Sequence, residues 1–150
     1  MIKIICVGKI KEKFFKESID EYLKRLSKYT KVELIEVIDS KLDNPNLAIE
    51  QESILIEKNI NEKDYLIALD IKGIELSSIE LSEKIEKTLI TNSNICFIIG
   101  GSYGLSEKIK EKSFRLSFSK LTFPHQLFRI ILLEQIYRSF KIINNESYHK

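Results

Sequence analysis

The chain has 150 residues, with 24 Lys/Arg against 22 Asp/Glu and two cysteines. That length supports one compact core and is short for two, so residues 1–150 read as a single domain. No apolar run is long enough to span a bilayer, the two cysteines provide no disulfide framework, and neither histidine stands at metal-ligand spacing from them. A cytoplasmic protein is expected, with no membrane segment and no metal. Cys6 and Cys96 each lie inside an apolar run, where a free thiol packs as a small hydrophobe. The near-neutral balance hides an asymmetry: residues 1–107 carry 15 basic and 19 acidic side chains, and residues 108–150 carry 9 and 3. A basic C-terminal part suits a polyanionic partner, and equally a solvated lysine-rich face.

In chain order, Ile2 to Val7 reads as a strand, and Phe15, Ile19, Tyr22, Leu23 and Leu26 recur at helical spacing. The opening stretch is too short for a secretory signal and runs at once into Lys9, Lys11, Glu12 and Lys13. Val32 to Ile38 alternates as a half-buried strand does, Ser40 to Asn46 is a polar break holding Pro45, and a helix is expected from Leu47 to Asn59. Tyr65 to Leu69 reads as a buried strand. Ser77 and Glu80 have capping-box spacing before a helix over Ile79 to Leu89. A strand from Ile95 to Ile99 runs into Gly100-Gly101-Ser102-Tyr103-Gly104, followed by a short helix (Ser106 to Lys112) and a short strand (Leu116 to Phe118). A last helix begins near Pro124 and extends to about Ile143. Strands alternating with helices give an α/β fold with a mainly parallel sheet covered on both faces. Apolar residues around most of the last helix, from Leu127 to Phe140, ask for a second apolar partner; a subunit interface is the simplest, an unusually enclosed helix the alternative.

Three of the five glycines follow the strand ending at Ile99, where an open α/β sheet binds ligands and where missing side chains let main-chain groups approach a cofactor. The pattern is not GxGxxG, and no GxxxxGK[ST] phosphate loop occurs, which weighs against dehydrogenase and nucleotidase chemistry. It does match G-x-S-x-G, so a serine esterase using Ser102 is a rival, although the chain is small for that fold and has no HGGG-type oxyanion loop. His125, beside Pro124, suits a helix terminus. Glu134 precedes Arg138 by four residues, the spacing of a helical ion pair. The final Tyr148-His149-Lys150 offers an aromatic ring for a nucleobase and a cation for phosphate, or is simply a frayed end.

Phe97-Ile-Ile-Gly-Gly-Ser-Tyr-Gly-Leu105, Leu116-Ser-Phe-Ser-Lys-Leu-Thr-Phe-Pro-His-Gln-Leu-Phe-Arg129 and the ending Tyr148-His149-Lys150 together strongly resemble the RlmH family of 23S ribosomal RNA pseudouridine N3-methyltransferases. The opening Ile2-Lys-Ile-Ile-Cys-Val-Gly-Lys9 is similar as well, so the likeness spans the chain. The resemblance implies a SPOUT methyltransferase fold with a C-terminal trefoil knot, a homodimer, S-adenosylmethionine as cofactor, and a pseudouridine in helix 69 of 23S rRNA, within the large subunit or whole ribosome, as substrate. General topology rules alone would expect an unknotted chain. Carried over residue by residue, the cofactor positions are Leu69, Gly100, Phe118, Ser119, Lys120, Leu121, Thr122 and Phe123. In some relatives proline takes the place of Ser102, which a nucleophile would not allow.

Methyl transfer from a sulfonium needs no covalent nucleophile; it needs alignment of donor and acceptor and a route for the N3 proton. His149 and Tyr148 are the expected neighbours of the target base and Arg129 an electrostatic helper. Three classes of activity give different outcomes. A methyltransferase binds S-adenosylmethionine and labels large-subunit RNA, an esterase loses ester hydrolysis on Ser102→Ala, and a non-catalytic RNA-binding module binds RNA without the cofactor.

Overall fold

The computed structural model describes residues 1–150 and contains five strands and five helices. They are β1 (Ile2–Val7), α1 (Lys13–Leu26), β2 (Val32–Val37), α2 (Pro45–Glu57), β3 (Asp64–Glu75), α3 (Ser78–Thr91), β4 (Asn94–Ile99), α4 (Glu107–Glu111), β5 (Phe114–Ser117) and α5 (His125–Ile143). All strands are parallel, in the order β2-β1-β4-β3-β5. β1, β4 and β3 are therefore interior, and the near-continuous Ile, Val, Cys and Phe runs of β1 and β4 are what a strand covered on both faces requires.

Alternation along the strands divides the core. Ile2, Ile4, Cys6, Ile95, Phe97 and Ile99 pack toward Ile19 and Leu26 of α1, Leu81 and Ile85 of α3, and Leu132, Leu133 and Ile136 of α5. The intervening Ile5, Val7, Cys96 and Ile98 meet Ile56 of α2 and Ile109 of α4 on the other face. Each such side chain, fully enclosed, contributes about 1.5–3 kcal/mol relative to an exposed one. Lys3 also points inward, where its ammonium reaches Asp64 Oδ2 at 2.7 Å and the Asn59 carbonyl at 3.1 Å; Asn94 donates to the other oxygen of Asp64 at 3.0 Å.

Local chemistry sets the helix ends. The capping box is present: Ser77 Oγ accepts from the Glu80 N–H, and Glu80 returns a bond from the Ser77 N–H at 2.7 Å. α2 starts two residues before Leu47 because Asn44 caps it, accepting from the Leu47 N–H at 3.1 Å, with Pro45 in the first turn. Pro124 stands at the N-cap of α5 instead of inside it.

Two expectations are revised. The third strand does not stop at Leu69; both Leu69 and Ile74 register with Leu116, so residues 70–73 bulge out and the strand resumes to Glu75. The apolar girth of α5 does not in itself require another subunit. α1 lies along one side of the helix and α3 along another, Leu132, Leu133 and Ile136 are fully buried, and of its large apolar side chains only Leu127 is exposed, at 37%.

Candidate functional site

The C-terminal ends of β3, β4 and β5 open into one cleft of about 280 Å³. It is assembled from three separate segments, Leu69 to Ile71, Ile99 to Leu105 and Leu116 to Phe128, with Lys110 of α4 beside them. After Ile99 the chain turns back on itself, with the Gly104 N–H donating to the Gly101 carbonyl at 3.0 Å. A Cβ at Gly100 would stand 2.7 Å from the Gly104 carbonyl carbon, so a side chain there forces this turn open. Opposite, Phe128 meets Phe118 edge-on at 5.1 Å and lies nearly parallel to Phe123 at 5.9 Å, giving the cleft an aromatic wall. The loop after β5 is held by its own serines: Ser117 Oγ donates to the Ser119 carbonyl, and Ser119 Oγ accepts from the Leu121 N–H.

Seven of the eight expected cofactor positions, Leu69, Gly100, Phe118, Ser119, Leu121, Thr122 and Phe123, border this cleft. Lys120 is exposed and is not on its wall. Sequence reasoning had not placed Ile71, Leu105, Lys110 or His125 there. The imidazole of His125 is half-buried, and burial, then the cation of Arg129, holds its pKa below the ordinary histidine value. Asp70, also on the wall and half-buried, lies below the usual carboxylate range: burial pushes it up, but the Lys72 N–H and the Arg115 guanidinium, whose Nε is 2.9 Å away, outweigh that.

Behind the glycine turn stands Glu52 of α2. A Cβ on Gly101 would fall 2.7 Å from Glu52 Oε2, so the carboxyl fills the place a side chain would take. Glu52 is 5% exposed; Oε1 accepts from the Ser40 N–H at 3.0 Å and Oε2 has no partner. Burial raises its pKa above the ordinary value.

Arg129 is in the interior, 1% exposed and off the cleft wall. Its Nη2 donates to the carbonyls of Val7 and Gly8 at 2.8 and 2.7 Å, and Nη1 to Glu36 Oε1 at 2.8 Å. The same Glu36 oxygen accepts from the Ile10 N–H, so the guanidinium ties α5 to β2 and to the segment after β1. Nothing in the local sequence marks this role; it depends on the fold bringing Glu36 opposite.

The C-terminus is docked, not frayed. Tyr148 packs edge-on against Tyr137, its ring centroid 5.0 Å away, and donates to Glu134 Oε1 at 3.0 Å. The expected Glu134–Arg138 pair forms at 2.6 Å, and Arg138 also reaches His149 Nδ1 at 3.2 Å. Burial, then the bond to Glu134, pushes the Tyr148 phenol up to about 12. Glu146 meets Lys141, Lys28 and Tyr29, which bring its carboxyl down to about 2. Arg138 lies ten residues beyond the cleft-lining Phe128 on the same helix, about 15 Å along its axis.

Ser102 borders the cleft, but no hydrogen bond joins it to either histidine, and no acid orients His125. The arrangement holds none of the linkages of a hydrolytic triad. No group of three or more His, Cys, Asp or Glu side chains is placed to hold a metal ion, and no helix is long and apolar enough to cross a membrane.

A five-stranded parallel sheet carrying such a cleft at its strand ends has recognisable kin. The family profile described as "Predicted SPOUT methyltransferase" matches residues 1–149. The chain belongs to the SPOUT methyltransferase family. A relative from Clostridium botulinum (strain 657 / Type Ba4), named Ribosomal RNA large subunit methyltransferase H, is 55% identical over 157 aligned positions that take in 99% of each chain. A second, of the same name, from C. botulinum (strain Kyoto / Type A2), is 54% identical with the same coverage. Among solved structures, that of a probable methylase family protein from Haemophilus influenzae Rd KW20 superposes with a TM-score of 0.61 over 99% of this chain and 70% of the other. At 14% identity that likeness speaks for the fold alone.

Proposed function

We propose that the protein is a homodimeric, S-adenosylmethionine-dependent methyltransferase acting on N3 of a pseudouridine in helix 69 of 23S rRNA, on the assembled large subunit or ribosome. The observation that carries this reading is convergence: seven positions from three distant segments, singled out by resemblance, meet on one cleft at the strand ends. The names of the relatives point to the same substrate class. A C-terminal trefoil knot belongs to the reading, supported by the family and by the return of β5 to the side of β3 away from β4.

The residues fit the cofactor. Phe118, Phe123 and Phe128 offer flat apolar surface for an adenine ring, while main-chain groups at Leu69, Gly100 and the loop from Ser119 to Thr122 offer donors and acceptors for its edge. When bound, S-adenosylmethionine supplies an electrophilic methyl group on a sulfonium. The chain supplies position and proton control. The surroundings of His125 favour its uncharged form.

Tyr148 and His149 remain the residues assigned to the target base. Tyr148, its one O–H given to Glu134 and its pKa of about 12 keeping it protonated, offers its ring for stacking. His149 is assigned to the N3 proton: Arg138 can only donate, so Nδ1 is the unprotonated nitrogen, and it takes the proton once the Arg138 contact passes to the base, on which Arg138 then favours negative charge. Tyr148 and His149 are docked on Glu134 and Arg138 and do not line the cleft of their own chain; in the homodimer of this reading the tail serves the partner's. Arg129, expected as an electrostatic helper, acts in this reading through Glu36 and the chain after β1, as a positioning residue.

The test pairs calorimetry with radiolabelled methyl transfer to ribosomes from cells lacking the modification. The intact protein binds the cofactor and labels large-subunit RNA; a chain without Tyr148 to Lys150 binds it as well but transfers nothing. No cofactor binding at millimolar concentration ends the proposal, and normal turnover by the truncated chain removes the role given to the tail.

A further inference from the structure

The segment after β1 and the first turn of α1 place Lys9, Lys11, Lys13 and Lys16 within eight residues, all four exposed, beside Phe14, which is 58% exposed. The acids nearby on this segment are Glu12 and Glu17, both exposed, and only Lys13 meets one, Glu17, at 3.6 Å. The side chains of Lys9, Lys11 and Lys16 form no ion pair with this chain. These choices work against local stability: like charges crowd together, and lysines in the first turn of α1 oppose the helix dipole with no side-chain cap to offset them. Local rules broken without a structural return are characteristic of functional surface.

The backbone beneath these lysines is firmly held. The Gly8 N–H donates to the Val37 carbonyl at 2.8 Å, the Ile10 N–H to Glu36 at 3.0 Å and the Lys11 N–H to Gln126 Oε1 at 3.0 Å, while Arg129 grips the carbonyls of Val7 and Gly8. Two of these contacts also fix the segment beside the cleft. Gln126 follows His125 of the cleft wall, and Val7 lies against Gly101, a Cβ on which would be 3.0 Å from Val7 Cγ1.

We propose that Lys9, Lys11, Lys13, Lys16 and Phe14 form the surface that holds ribosomal RNA beside the cleft, the lysines on phosphates and Phe14 stacked on an unpaired base. This rests on the reading of ribosomal RNA as substrate. A pre-formed backbone presenting mobile ammonium groups limits the ordering needed on binding to the side chains. The buried Arg129–Glu36 pair then has a purpose beyond the core, as the clamp that keeps this platform in place.

The test is methyl transfer to ribosomes as a function of salt, using the full chain with Lys9→Glu, Lys11→Glu and Lys16→Glu combined. KM for ribosomes is expected to rise by about tenfold or more, and the slope of log KM against log salt to fall by about two to three, near 0.7–0.9 for each phosphate no longer neutralised. Calorimetric affinity for S-adenosylmethionine and kcat at saturating ribosomes stay at parental values, which also shows that the variant is folded. Phe14→Ala raises KM and leaves the salt slope unchanged. A control with the same charge change at exposed lysines elsewhere, Lys58→Glu and Lys63→Glu ahead of β3 and Lys87→Glu on α3, leaves both near the parent. Parental KM and slope in the Lys9/Lys11/Lys16 variant, or an equal effect in the control, overturns the proposal while the methyltransferase reading stands. A parent that binds cofactor but labels no ribosomal RNA overturns the substrate reading, and this proposal with it.

Discussion

Replacing Arg129 by methionine separates a structural clamp from a participant in chemistry. Methionine has similar reach and fills the same apolar surroundings, so the change removes charge and donors without opening a large cavity. Breaking a buried ion pair by deleting one partner costs about 3–5 kcal/mol. Here the lower end applies, because the side chain of Glu36 is 30% exposed and recovers some hydration when the guanidinium, 1% exposed, is gone. The carbonyls of Val7 and Gly8 lose their donors at the same time. For a domain of this length, about 3 kcal/mol lowers Tm by about 6–12 °C. Thermal and urea unfolding followed by circular dichroism measure it. Arg129→Lys restores only about 1 kcal/mol, since a single ammonium cannot span Glu36 and two carbonyls in fixed directions. Parental stability with greatly reduced kcat would refute the clamp and return Arg129 to the chemistry.

Three further outcomes follow from the site and the tail. Gly100→Ala places a methyl group 2.7 Å from the Gly104 backbone, so cofactor affinity measured by calorimetry falls at least about tenfold and stability drops by about 1–3 kcal/mol; unchanged affinity would show that the turn has slack. Glu52 has a raised folded pKa, so the unfolded chain ionises first and stability is lost as pH rises above the ordinary value of 4.5. Glu52→Gln removes that dependence, and its Tm advantage over the parent grows toward neutral pH; parallel Tm curves would refute the assignment. Glu146 is the opposite case. Its folded pKa is depressed to about 2 from 4.5, so its clasp on Lys141, Lys28 and Tyr29 is complete above 4.5 and is lost as pH falls toward 2. Amide exchange at Glu146 to Tyr148 should quicken over that interval, and a pH-independent rate would discard the clasp.

How much of this was legible beforehand varies with the range of the interactions involved. Hydrophobic periodicity and capping residues, both local, located all ten elements; the Ser77–Glu80 box formed as its spacing implied. The bulge at residues 70–73 was hidden because its cause is pairing with Leu116, more than forty residues away in sequence. Which of the two readings of α5 its neighbours favour was hidden for a similar reason: girth is visible in a sequence, but the helices flanking it are not. Cofactor positions were found by motif likeness, and the structure brings all but Lys120 to one cleft. Arg129 carried no local mark of its clamp, and Glu36 looked like an outward residue of an alternating strand. Arg138 and Glu134 were recognised as a pair, whereas the docking of Tyr148 and His149 upon them required the fold.

The separation along α5 between the cleft at its start and the docked tail near its end has a consequence for mixtures. On the proposed function, with the tail of one subunit serving the cleft of the other, a variant damaged at Gly100 and another lacking its last three residues are each expected to be inactive alone and to compensate one another. Random exchange of subunits makes about half of the assemblies hybrid, each with one of two centres intact, which returns about a quarter of the parental rate. Two silent preparations regain activity on mixing, and a chain that worked alone would never do so.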